Sequence, residues 1–166
     1  MSDTHIEFLN ESINELRKYK VHAEKAIAQV HTDEEMHWQP GVESNSVAII
    51  MKHLRGNMLS RWTNFLTTDG EKPTRERDNE FIDRKETKQE LMTLWDEGWQ
   101  CMFTTLGSLN ETDFNKTITI RNEPHTIIQA IMRQIMHYSQ HIGQIIYIAK
   151  MIRNDDWQTL SIPRKK

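Results

Sequence analysis

The stretch "TIIQAIMRQIMHYSQHIGQIIYIAKMI", residues 126–152, decides how this chain is read. Ile128, Ile131, Ile135, Ile142, Ile145, Ala149 and Ile152 recur at intervals of three and four, which predicts a long amphipathic helix with these positions facing inward. Within it His137 and His141 stand four places apart, so they stack on one face and come within reach of one ion. At about 100° per residue, that face lies about 100° from the centre of the apolar stripe, at the flank of the core. Two imidazoles do not close a metal site, so the rest of the chain must supply a further ligand.

Three more segments carry the same periodicity. Ile6, Leu9, Ile13, Leu16, Ala23, Ile27 and Val30 mark a helix over roughly 4–31, interrupted only by Lys20. After "DEEMHWQPGVESNS", whose final Asn and Ser are helix-capping residues, Val47, Ile50, Met51, Leu54, Met58, Trp62 and Phe65 predict a second helix over roughly 46–68. Leu91, Trp95, Gly98, Trp99, Met102 and Leu106 predict a third over roughly 85–106, with Gly98 allowing close approach of a neighbour. The charged run "TDGEKPTRERDNEFIDR" between the second and third reads as a solvated loop. The β-branched alternation in "FNKTITIRNEPHT" reads as a short hairpin or an extended loop between the third and fourth. Four amphipathic helices of this length predict an all-α fold, a four-helix bundle.

Bulk properties narrow the function. A chain of 166 residues is about one domain long, taken as 1–166. Lys+Arg 21 against Asp+Glu 24, with no basic stripe, disfavours nucleic acid as a partner. The longest apolar runs, "VAIIM" and "IIYIA", are too short to span a bilayer, and the first ten residues lack a targeting pattern. With one cysteine, Cys101, an internal disulfide is excluded; a cytoplasmic protein is expected, with Cys101 as a small buried apolar side chain.

On the second helix His53, Asn57 and Arg61 share a polar stripe that also flanks the apolar centre, which makes His53 the candidate third ligand. Three neutral imidazoles at about 2.0–2.1 Å would leave positions open, the pattern of a catalytic rather than a structural ion. Spacing alone leaves the alternative standing, because in a chain with eight histidines an HxxxH pair is often two solvated side chains. His5, His22, His31, His37 and His125 lie near termini, on outward faces or in loops, and are read as surface residues. Asn57 and Arg61, one and two turns beyond His53, are candidates to hold an anionic group, and Gln144 is a candidate hydrogen-bond partner to the histidine pair. No carboxylate is aimed at the ion by spacing; Glu43 and Glu123 are given no role.

The combination of "NSVAIIMKHL" at 45–54, Trp38-Gln39-Pro40 upstream of it and "HYSQHIGQI" at 137–145 resembles the DinB-like superfamily, which includes the YfiT-type metal-dependent proteins. "TTDGEKPTRERDNEF" further resembles a bacterial branch of that superfamily whose function is unknown. The resemblance spans nearly the whole chain. It implies a divalent metal on His53, His137 and His141, a bundle that is often a homodimer, and transfer of a low-molecular-weight thiol such as bacillithiol to an electrophile. Zinc or nickel suits three imidazoles, with manganese or iron also allowed. Metal-dependent hydrolysis and a non-enzymatic, metal-binding dimeric bundle are the alternatives.

Overall fold

Residues 126–152 do fold as one helix, and the reason is visible at its first turn. In a computed structural model describing residues 3–163, the Thr126 hydroxyl accepts from the Gln129 N–H while the Gln129 side chain returns to the Thr126 N–H, a capping box. The three other predicted helices form as well, and a single turn that the sequence did not predict stands between the first and second. In chain order the helices are α1 (Asp3–Ile27), the single turn α2 (Asp33–Met36), α3 (Val47–Trp62), α4 (Lys88–Ser108) and α5 (Ile127–Arg153). Thr32 with Glu35 and Thr87 with Glu90 build the same box at α2 and α4, and Ser46 caps α3 by accepting from Ile49. Helix α3 stops at Trp62, short of the expected 68: Thr63 is already extended, and Asn64 takes a left-handed φ of 50°.

Helix α1 packs on α5 and α4, and α3 packs on α4 and α5. A Cβ added at Gly98 of α4 would lie 3.0 Å from the Arg55 Cα of α3, so these helices meet closely because that side chain is missing. Between α3 and α5, Tyr138 is fully buried; its hydroxyl accepts from Trp62 Nε1 at 2.9 Å and donates to Asn57 Oδ1 at 3.1 Å. One expected core position is corrected. Ile128 is exposed and Ile127 is buried, because the buried line runs through Ile127, Ala130, Gln134 and Tyr138, and a straight helix of 27 residues drifts against a fixed neighbour.

The segment between α4 and α5 is a hairpin, β1 (Thr117–Ile120) pairing antiparallel with β2 (Glu123–Thr126). Arg121 and Asn122 both have positive φ, 55° and 61°, the signature of a two-residue type I′ turn. No helix among the described residues is long and apolar enough to cross a membrane.

The largest departure from the sequence reading concerns the charged run. Thirteen of the sixteen residues of α3 are buried, including Lys52, His53 and Arg61, because residues 69–87 cross its outer face as a strap instead of standing in solvent. The strap is pinned at its start. Ser60 Oγ and the Arg61 guanidinium donate to the Gly70 carbonyl, and the Gly70 N–H donates to Thr119 in β1 at 2.8 Å. The Asp69 carboxylate accepts from Glu71 N at 2.7 Å, Arg121 N at 2.9 Å and Asn122 N at 2.8 Å, tying strap to hairpin.

Partial burial pushes the Asp69 pKa upward, but the bonds from Glu71, Asn122 and Arg121 win and bring it from 3.8 down to about 2. A depressed carboxylate contributes stability that is complete above its unfolded pKa and lost as pH falls through the folded one. Asp69→Asn should therefore cost about 1–3 kcal/mol at neutral pH. In urea melts, the gap between parent and variant should narrow from pH 3.8 toward about 2. A gap that is constant across that window would remove this role from Asp69.

Candidate metal centre

Helix α3 brings His53, and α5 brings His137 and His141, to one point. The three ring centroids lie 5.4, 4.8 and 4.7 Å apart, and one nitrogen from each ring lies within 4.8 Å of the other two. His53 Nε2 and His137 Nε2 lie 3.3 Å apart. A tetrahedral ion with bonds of about 2.05 Å sets its ligand atoms roughly 3.3 Å from one another.

Which nitrogens are free follows from their neighbours. His53 Nδ1 stands 2.9 Å from Glu80 Oε2, and a carboxylate only accepts, so Nδ1 carries the proton and Nε2 offers its lone pair to the centre. His141 Nδ1 donates in the same way to Gln144 Oε1 at 2.9 Å, freeing its Nε2. His137 Nδ1 is buried without a hydrogen-bond partner. Burial first, then the adjacent His141 and His53, push the His137 pKa from 6.5 down to about 3, and burial also lowers that of His141. His53 and His141, each with its outer nitrogen tied to an acceptor, and a His137 ring held neutral by burial are what a divalent cation requires, so the residues fit the ion.

Glu80 is the residue that sequence reading missed. It sits in a 3₁₀ turn of the strap, Arg77–Phe81, and Arg75 grips it with both arms of the guanidinium, Nε to Oε1 at 2.7 Å and Nη2 to Oε2 at 2.8 Å. Burial raises the Glu80 pKa, but the bonds from His53 and Arg75 outweigh it and hold the carboxyl below the usual range. Arg75 also reaches Glu71, which in turn meets Arg61 and Arg121, so a chain of alternating charge runs from the hairpin to His53. The Phe81 ring lies 5.1 Å from that of His53 and shields one side.

A family model described as "Protein of unknown function (DUF1572)" matches residues 3–166. The chain belongs to the DUF1572 family. No curated protein matches it, and no solved structure does.

In this DUF1572 chain Gln144 Oε1 lies 2.9 Å from His141 Nδ1. Asn57 and Arg61 are both buried: Asn57 Oδ1 accepts from Tyr138, and the Arg61 guanidinium donates to the Gly70 carbonyl and to Glu71. Arg61 faces the strap and Asn57 faces α5, which the helix periodicity could not show. Cys101 is half-buried, with its Sγ 3.7 Å from Thr63 Oγ1. His37, expected on the surface, is buried: Nε2 lies 2.8 Å from the Glu86 carbonyl oxygen and Nδ1 2.7 Å from Asp83 Oδ1. Asp83 and Glu86 make a second ligand-like group with it. There the cation is already Lys52, whose ammonium binds both Glu86 oxygens at 2.9 and 3.2 Å.

The orienting role of Glu80 is testable twice. Glu80→Gln removes the charge behind His53 and should weaken zinc binding by about 10–100-fold in a competitive chelator titration. Gly56→Ala should act in the same direction, since its new Cβ would lie 2.6 Å from Glu80 Cδ and displace the flexible carboxylate, not the backbone. Parental zinc affinity in both variants would show that Glu80 is only a structural ion-pair partner.

Proposed function

We propose that this protein is a metal-dependent enzyme in which His53, His137 and His141, on two helices of a four-helix bundle, hold one divalent ion, and that it transfers a low-molecular-weight thiol such as bacillithiol to an electrophile. One observation carries the reading: three imidazoles converge with a nitrogen pair at 3.3 Å, while Glu80 and Gln144 hold the outer nitrogens of two of them. The likeness of the two histidine segments to the DinB-like superfamily supports it, as does the contact of each long helix with two others. When bound, such an ion supplies fixed positive charge that favours the ionised form of a thiol or water brought beside it. Zinc or nickel suits the donor set, and manganese and iron are the further ions to compare.

The chain's own residues set the conditions for that chemistry. Glu80 and Gln144 fix the tautomers of His53 and His141, Arg75 holds Glu80, and Phe81 keeps solvent from one side of His53. Both oxygens of Glu80 are engaged, by Arg75 and His53, so the carboxylate nearest the site is not free to act as a general base. That favours a thiol over water, because a thiol with an ordinary pKa of about 8.5 ionises with far less help. Hydrolysis ranks second, and a non-enzymatic metal-binding bundle third.

Protein purified without chelator should hold about one metal ion per chain by elemental analysis, and His137→Ala with His141→Ala should abolish it. Unchanged metal content in the double variant would reject the site. With loaded protein, metal-dependent loss of thiol in the presence of an alkyl halide supports transfer. Turnover of a carboxylic or phosphate ester panel supports hydrolysis instead, and silence on both leaves the non-enzymatic reading.

We further propose a homodimer, as the DinB-like resemblance implies, with its contact on α5, where Ile128, Met132 and Met136 form an exposed apolar row at helical spacing. Met132→Glu with Met136→Glu should yield a monomer by light scattering; an unaltered dimer mass would move the contact elsewhere.

A further inference from the structure

The strap and the outer face of α3 do not close completely on each other. Between them lies a cleft of about 760 Å³, within the roughly 300–1,000 Å³ of small-molecule sites. Arg55 and Leu59 line it from α3, Thr63 from just beyond that helix, Lys72 and Arg84 from the strap, and Leu94 from α4. Five basic side chains face it against three acidic ones, in a chain whose formal net charge is -3. The acids are largely spent: Glu86 on Lys52, Glu80 on Arg75 and His53, and Glu76 on Asn79. Arg55 is turned to Glu97 of α4. Lys72 and Arg84 are left without a carboxylate. The Lys72 ammonium has the Asp69 backbone carbonyl at 2.6 Å as its partner, and Arg84 makes no ion pair among the described residues. Burial, opposed by the Asp69 charge and reinforced by that of Arg61, lowers the Lys72 pKa.

We infer that this cleft binds a small organic anion, a molecule whose carboxylate or phosphate groups meet Lys72 and Arg84 while its carbon frame rests on Leu59 and Leu94. The inference does not depend on the metal centre, although Glu80 and Arg75 form a wall common to both places. An anion held there would be screened less than at an open surface, because the strap and α3 flank it on two sides.

Calorimetric titration of the full chain with citrate and, separately, with inorganic phosphate, both in chelator at low chloride, tests it. Saturable binding of at least one probe is expected. Citrate alone would assign carboxylates, phosphate alone phosphoryl groups. Lys72→Ala with Arg84→Ala should weaken that binding by about tenfold or more, the equivalent of one charged hydrogen bond. Lys25→Ala, at an exposed site on α1, should leave it unchanged. Arg84→Glu alone, also at an exposed position, should lower affinity in the same direction and covers the case of a double variant that folds poorly. No saturable binding of either probe, or equal binding by parent and Arg84→Glu, overturns the inference.

Discussion

Three basic side chains on α3, Lys52, His53 and Arg61, are buried, and each meets one glutamate of the strap: Glu86, Glu80 and Glu71 respectively. A charge or polar group taken out of water is costly unless it is paired or hydrogen-bonded, so α3 can be the inner helix it is only with the strap in place. The order of the pairs runs oppositely along the two segments, which fixes the strap antiparallel to the helix. Gly56 leaves room for Glu80, and Asp69 secures the near end of the strap to the hairpin turn.

The same pairing produces the metal centre's finer geometry. Glu80 neutralises the chain of charge around Arg75 and also holds the His53 ring with one nitrogen facing inward. His137 arrives from the opposite helix into a half-buried position, where burial first and the nearby histidines and arginines next favour the neutral ring. Charge compensation for a buried helix and preparation of a ligand are thus one network. A loop held over rigid helices is a common place for functional residues, since the scaffold supplies position and the loop supplies chemistry.

The helices were legible because their evidence is local. Stripes of three and four spacing and the capping residues Ser46, Thr87 and Thr126 lie within each segment, and a hairpin around Arg121 and Asn122 could be read from alternation. His137 and His141 share a helix, so their proximity also follows from local geometry. The place of His53 beside them rested on a neighbour relation between α3 and α5 that a family resemblance suggested and the packing supplies. Ile128 and His37 were misplaced for a related reason: the phase of a long helix and the burial of a loop residue depend on what packs against them.

By itself, then, the sequence determined a set of amphipathic helices, their capped beginnings, a turn between short strands and one histidine pair. Only the tertiary structure decided that residues 69–87 fold back over α3, that Asn57 and Arg61 face inward to protein partners, and that Glu80 stands behind His53. Periodicity reports one face of one element. The partner of a charged residue twenty-seven positions away is set by the path of the intervening chain, and nothing in the local pattern of "TDGEKPTRERDNEFIDR" distinguishes a solvated loop from a strap whose glutamates answer buried cations.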